Sequence, residues 1–325
     1  MTIYVDVMGG DHAPLETIKG AYLAAQEFGV ALTLVGKVDV ISDIVKQEKL
    51  SSDKISLLNA EEIVTMDEEP AAAVRKKKES SVVVSALKVK EDSGSVFVSA
   101  GSTGAVLSAA LLYTGRIKGV QRPALCTLLP GKMPVLLIDN GANAECKPEY
   151  LLQFAVMGSA YMQAVLGIER PRVALVNIGA EEIKGTPLYK ETHQLLKDAN
   201  VNFVGNLEPK ELLDGVADVV VCDGFTGNII LKTLEGSFHY TFGLLKKIFM
   251  KNGMTKLAAA ILKKDLYGIK KKMDPSTTGG VPLLGINGGV IKAHGSSDAV
   301  AFKNAIGQAI QFQQNNVVGK ITKML

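Results

Sequence analysis

Tryptophan is absent from this chain of 325 residues, and cysteine occurs only as Cys126, Cys146 and Cys222. Three scattered thiols cannot form a disulfide framework, and with four histidines at no ligand spacing they exclude the familiar zinc sites. A reducing, cytoplasmic setting is expected. Long apolar runs are also missing. Two uncharged stretches approach membrane-spanning length, but Gly101-Ser-Thr-Gly104 interrupts one and Gln153, Ser159 and Gln163 the other, so both read as buried segments. The first residues enter an alternating apolar segment, Ile3 to Val7, without the basic and long apolar regions of a secretory signal.

Net charge is small, at +3, yet it is unevenly spread. Between Lys246 and Lys272 nine lysines face one acid, Asp265, so the rest of the chain is net acidic. Phe249 and Tyr267 are the only aromatic residues in this basic stretch, too few to interleave as base-stackers. It therefore points to an anionic lipid surface or an acidic protein and away from nucleic acid.

An apolar content of 47% is ample for a large core. Short β-branched runs, Ile3–Val7, Ala31–Val35, Val96–Ser99, Val135–Ile138, Val173–Asn177, Val201–Val204 and Val219–Cys222, read as strands. Helical patterns lie between them, around Leu15–Phe28, Val38–Glu48, Thr103–Arg116, Pro148–Leu166, Pro187–Asp198 and Gly227–Phe249. Such alternation predicts an α/β fold, a mainly parallel, doubly wound sheet covered on both faces. With no repeat and no Pro/Ser-rich linker, residues 1–325 read as a single catalytic domain. A helical protrusion, residues 237–273, is expected to break near Asn252-Gly253 and to lead into a glycine-dense loop, Gly279–Gly289.

In parallel sheets ligands gather beyond the carboxyl ends of the strands. The segments following the predicted strands are rich in glycine and small polar residues. Gly101-Ser102-Thr103-Gly104 opens a helix, where free backbone N–H groups, the helix dipole and two hydroxyls suit phosphate. A single loop of this kind equally fits an ordinary capped turn. Asp223-Gly224-Phe225-Thr226-Gly227-Asn228 repeats the design, and Gly9-Gly10 again allows backbone to approach a ligand. Neither a Walker motif nor a Gly-x-Gly-x-x-Gly fingerprint is present, which favours a small oxyanion over a nucleotide.

Lys184, between Gly179 and Gly185, sits in a shaped turn where an ammonium can neutralise phosphate or a developing oxyanion. His12 and His294 can each move a proton near neutral pH or simply brace their loops, whereas His193 and His239 fall in helical patterns and read as structural. Asp223 can orient Asn228 or Lys184, or act as a base. Cys222 ends an apolar strand beside that acid, which opposes thiolate formation.

Five ordered motifs, Asp6 to Pro14, Ser99 to Gly104, Asn177 to Gly185, Cys222 to Asn228 and Ala293 to Ser297, closely resemble those of the bacterial phosphate acyltransferases of the PlsX family. The resemblance spans nearly the whole chain. It implies transfer of an acyl group from acyl carrier protein to inorganic phosphate, without metal or cofactor, for phospholipid synthesis. It also implies a homodimer and a three-layer α/β/α fold like that of isopropylmalate dehydrogenases and phosphotransacetylases. Ser102, Asn140, Ala180 and Thr186 depart modestly from the family pattern; Ala180 replaces an acid.

On this reading the catalytic candidates are Lys184, Asp223, Asn228 and His12. Phosphate would meet Gly10, Gly101, Ser102, Thr103, Gly104, Gly224, Thr226 and Gly227. Leu257, Ile261, Leu262, Lys263 and Lys264 would touch carrier protein or an anionic membrane surface, near a downstream membrane acyltransferase. The rival readings are a phosphotransacetylase using short acyl-CoA, a metal- and NAD-dependent dehydrogenase and a noncatalytic lipid-binding scaffold. The dehydrogenase would need clustered carboxylates and more arginine. The scaffold would not need so many polar loops.

Overall fold

The computed structural model describes residues 2–92, 94–273 and 279–325. Its strands are β1 (Ile3–Asp6), β2 (Leu32–Gly36), β3 (Ile55–Asn59), β4 (Val96–Ser99), β5 (Ala124–Pro130), β6 (Pro134–Ile138), β7 (Arg172–Val176), β8 (Asn202–Leu207), β9 (Val219–Val221), β10 (Gly280–Leu284) and β11 (Gly289–Ala293). Its helices are α1 (Leu15–Phe28), α2 (Val38–Gln47), α3 (Pro70–Lys76), α4 (Ser81–Glu91), α5 (Thr103–Ala109), α6 (Pro148–Leu166), α7 (Pro187–Asp198), α8 (Gly224–Phe249), α9 (Gly253–Met273), α10 (Ala299–Gln314) and α11 (Val317–Met324).

Among the described residues, eleven strands form one sheet in the order β3-β2-β1-β4-β11-β10-β5-β6-β9-β7-β8. The first five in that order are parallel, and so are the last four. Antiparallel pairing of β10 with β11, of β10 with β5 and of β5 with β6 joins the two halves and reverses their sense. At the β10–β5 junction, pairing shrinks to Leu283 with Leu125 and Leu284 with Ala124. So short a seam lets the sheet twist strongly between its halves.

The central strands read as continuous apolar runs because both faces are covered. Along β4, Val96 and Val98 point into a layer formed with α1, α6 and α10, while Phe97 points into a second layer with α3, α4 and α5. In the other half, Val219 and Val221 share the first layer, and Val220 joins Ile230 of α8 in a third cluster. This is the expected doubly wound α/β arrangement.

The stretch read as a glycine-dense loop is instead a β hairpin, β10 to β11. Its glycines are needed for contact. A Cβ on Gly280 would fall 2.5 Å from Ile291, and one on Gly289 2.4 Å from Val96. Sequence periodicity also missed β3 and β5. Helix α8 starts at Gly224, three residues before the expected position, and α5 ends early and passes into a π-helical turn at Ala110–Thr114. From residue 231 through residue 270 nothing is buried, so the far part of α8 and α9 project from the body as a helical pair. No described helix is long and apolar enough to cross a membrane.

Phe154 of α6 is fully buried in the first layer. Replacing it with alanine removes that area and leaves a cavity, so Phe154→Ala is expected to lower stability by about 3–5 kcal/mol, measured by urea unfolding followed by circular dichroism.

Candidate active site

Each half of the sheet ends in loops organised around a buried carboxylate. In the first half Asp6, at the end of β1, accepts hydrogen bonds from Ser99 Oγ at 2.6 Å and from the Met8 N–H at 3.1 Å. Ser99 Oγ in turn accepts from the Gly101 N–H at 3.0 Å. Gly9 lies so close to Gly101 that an added Cβ would come 2.8 Å from its nitrogen, and Gly10 has a φ of +125° that favours glycine. The Asp11 N–H donates to the Gly295 carbonyl at 2.8 Å, tying in the loop after β11.

In the second half Asp139 follows β6. It accepts from the N–H groups of Leu125, Gly141, Ala142 and Asn143 and from the Asn143 side chain, at 2.7–3.2 Å. Burial holds both carboxyls above the usual range, and these hydrogen bonds oppose the shift. The start of α8 packs directly on this turn. A Cβ on Gly227 would sit 2.0 Å from the Asp139 carbonyl oxygen, and one on Gly224 2.7 Å from that of Asn143.

The two predicted phosphate loops differ once their hydrogen bonds are traced. At α8 the Gly224 N–H donates to Asn143, the Thr226 N–H to the Asp223 side chain and the Gly227 N–H to the Asp223 carbonyl. Asp223 also accepts from the Thr226 hydroxyl at 2.9 Å and from the Tyr189 hydroxyl at 2.5 Å. Its carboxylate is a cap and a brace. At α5 Ser102 caps the helix by accepting from the Ala105 N–H at 3.2 Å. The N–H groups of Thr103 and Gly104 are left without a partner among the described residues. Gly104 itself packs against Pro70.

A cavity of about 420 Å³ opens where the halves meet. Asp11, Thr103, Lys292 and His294 line it from the first half, and Asn140, Asn228 and Lys232 from the second. An apolar wall continues from Leu128 and Leu129 of β5 to Leu231, Leu234 and Phe238 on one face of α8. Loops beyond the carboxyl ends of both parallel halves thus converge on one site. His294 accepts from or donates to Ser296 at 2.8 Å; partial desolvation, then Lys232 and Lys292, keep its pKa below the ordinary value.

Of the predicted residues, Thr103 and Asn228 are therefore placed together in the cavity. Lys184 is exposed on the loop after β7; its carbonyl accepts from Asn177 at 3.2 Å, and Gly185 beside it packs on Asn177 and Tyr189. It does not line the cavity. His12 is exposed, with its carbonyl accepting from the Glu16 N–H, and does not line the cavity either. Leu257, Ile261, Leu262, Lys263 and Lys264 are all exposed on α9.

Sequence reasoning missed Lys292. Its signal was a lone lysine inside the apolar strand Gly289–Ala293. All three thiols are held above the usual range, Cys126 and Cys222 well above it by burial and Cys146 at about 12, so none is an activated nucleophile. Among the described residues no group of three or more histidines, cysteines, aspartates or glutamates is arranged to hold a metal ion.

A family model described as fatty acid synthesis protein matches residues 1–320. The chain is 47% identical to the phosphate acyltransferase of Alkaliphilus oremlandii, covering 99% of this chain and 97% of that one. It is 48% identical to the phosphate acyltransferase of Oceanobacillus iheyensis, covering 99% and 96%. Among solved structures it is similar to a phosphotransacetylase from Streptococcus pyogenes, with a TM-score of 0.62 at 18% identity over 95% of this chain and 94% of that one. It is also similar to 4-hydroxythreonine-4-phosphate dehydrogenase from Klebsiella pneumoniae, with a TM-score of 0.58 at 12% identity over 97% and 99%. At these identities the structural likeness concerns the fold alone.

Burial lowers the Lys292 pKa from 10.5 to about 8, with Asp11 and Asp6 opposing the shift. Between those two values the unfolded chain holds a proton that the folded chain has lost, so this group's contribution to stability rises with pH there; below about 8 the full cost of the buried ammonium remains. Lys292→Met is expected to be at least as stable as the parent at pH 7. Urea titrations from pH 7 to 10 should show that the variant lacks the parent's rise.

Proposed function

This chain belongs to the fatty acid synthesis protein family, with phosphate acyltransferases among its full-length relatives, and from that premise we propose that its cavity transfers a fatty acyl group from acyl carrier protein to inorganic phosphate. The products are acyl phosphate, for phospholipid synthesis, and free carrier protein. The observation that carries this reading is the meeting of the α5 N-terminus, whose Thr103 and Gly104 N–H groups have no partner among the described residues, and Asn228 of α8 in one cavity that has a polar end and an apolar wall. A small anion fits the polar end, and an acyl chain the apolar end.

A phosphate oxygen attacks the thioester carbonyl carbon, and the carbonyl electron pair moves to its oxygen. Collapse of that intermediate breaks the C–S bond and expels a thiolate, which takes a proton from water. With a thiol pKa of about 8.5, the leaving group needs little acid catalysis. Positioning can contribute roughly 7–11 kcal/mol and oxyanion stabilisation about 3–4 kcal/mol at a well-built site. The raised thiols favour this direct attack over a cysteine-bound intermediate.

In this scheme the turn from Gly101 to Gly104 cradles phosphate, beside Gly10, and Asn228 donates to the oxyanion. Asp223, Gly224, Thr226 and Gly227 hold the start of α8. Lys184 neutralises charge as the thioester arrives, and His12, next in sequence to the cavity-lining Asp11, meets the incoming substrate. Purified protein given long-chain acyl carrier protein should release thiol and form acyl phosphate only when phosphate is added. Release without phosphate would mark a thioesterase, and equal use of short acyl-CoA a phosphotransacetylase.

The projecting pair supports a second part of the proposal. Leu257 and Ile261 are 66% and 74% exposed, and Lys256, Lys263 and Lys264 lie beside them. Such a surface suits peripheral contact with the anionic inner face of the cell membrane, delivering an apolar product to a membrane acyltransferase. Leu244 and Ile248 of α8 offer an apolar face for a second copy of the chain in a cytoplasmic homodimer. Replacing Leu257 and Ile261 with glutamate should abolish sedimentation with anionic liposomes while phosphate-dependent thiol release persists; unchanged sedimentation would overturn membrane docking by this segment.

A further inference from the structure

We propose that Lys292 is the cation that holds the phosphate acceptor in the cavity, an assignment that rests on the acyl transfer reading above. Lys292 is the fourth residue of β11, whose five residues are all buried. It stands in register with Ser99 of β4, the strand that leads through Gly101 into α5. That register sets the lysine beside the α5 N-terminus, where the Thr103 and Gly104 N–H groups have no partner among the described residues. Val290, two residues earlier and on the same face, packs in the layer that contains α5.

Its bonding is incomplete. The ammonium carries three donors, and its one hydrogen bond among the described residues goes to the carbonyl of the adjacent Ala293. It has no carboxylate within 4.0 Å in an ion pair among the described residues, whereas Lys232, which lines the same cavity, is paired with Glu235 at 2.7 Å. Asp6 and Asp11 are near enough to favour the charged form. Asp6, however, already accepts from Ser99 and Met8. Burying an ammonium in an apolar strand weakens the fold unless something answers the charge. A dianion in the cavity does so, accepting from Lys292, from the α5 N–H groups and from the Thr103 hydroxyl.

Lys292→Met and Lys292→Arg test this with inorganic phosphate as the probe. The first readout is the rise in unfolding temperature on adding phosphate, since a ligand that binds only the folded state raises it. The second is KM for phosphate against KM for acyl carrier protein. The parent should show the rise. Lys292→Met should lose it, with KM for phosphate increased about tenfold or more, as expected for losing a charge-assisted hydrogen bond, while KM for the thioester changes less than twofold. Lys292→Arg should retain part of both.

A methionine variant with the parent's phosphate-induced rise and KM would overturn the assignment, as would a parent that shows no rise. If Lys292→Met fails to fold, Lys292→Gln and Lys292→Arg are compared in the same way, and equal phosphate protection in the two would be equally decisive against it. Phosphate protection that depends on Lys292 in a parent forming no acyl phosphate would uphold the site and reject the acyl transfer reading. Acyl phosphate formation by both parent and methionine variant with one KM for phosphate would do the reverse.

Discussion

A carboxylate buried at the end of a strand must be answered by donors or it destabilises the fold, and this requirement shapes the site in both halves of the molecule. Asp6 gathers the loops after β1 and β4 through Met8 and Ser99, and Asp139 wraps its own turn through three backbone N–H groups and ties it to β5 through that of Leu125. The glycines serve that packing. Gly9 and Gly101 let two loops touch, and Gly224 and Gly227 let α8 begin directly on the Asp139 turn. The cavity is the space these two knots leave between them.

The doubly wound fold could be read from the chain because its central strands are apolar runs separated by amphipathic helices. What periodicity missed has physical reasons. β10 and β11 each open on a glycine packed against a neighbour, and Pro282 and Lys292 interrupt their short apolar runs, while β3 is a largely exposed edge strand. The loop motifs located the carboxyl ends of the strands, but sequence does not tell a free N–H from an engaged one. Hence Gly101-Ser-Thr-Gly104 and Asp223 to Asn228 look alike, although among the described residues the first leaves the Thr103 and Gly104 N–H groups without a partner, and the second engages those of Gly224, Thr226 and Gly227 on Asn143 and Asp223. Lys292 was overlooked because a lone lysine in a short apolar run carries no motif.

The fold shared with phosphotransacetylases and with 4-hydroxythreonine-4-phosphate dehydrogenase does not choose a chemistry. The choice lies in what faces the cleft. Here the thiols are silenced by burial, and the polar end of the cavity offers hydroxyl, amide, imidazole and ammonium groups. The apolar wall of β5 and α8 leaves room for a chain without hydrogen-bonding groups.

Helix α8 is continuous from Gly224 to Phe249. Asn228 in its first turn faces the cavity, Leu231, Leu234 and Phe238 continue the apolar wall, and its last turns stand clear of the body. At 1.5 Å per residue its 26 residues span about 39 Å. Such a rod fixes a standoff between the reacting atoms and whatever its outer end rests on. A reactive product leaving the cavity along it would travel a set distance over a mostly apolar track, and the time it spends exposed to water would be governed by the length of one helix.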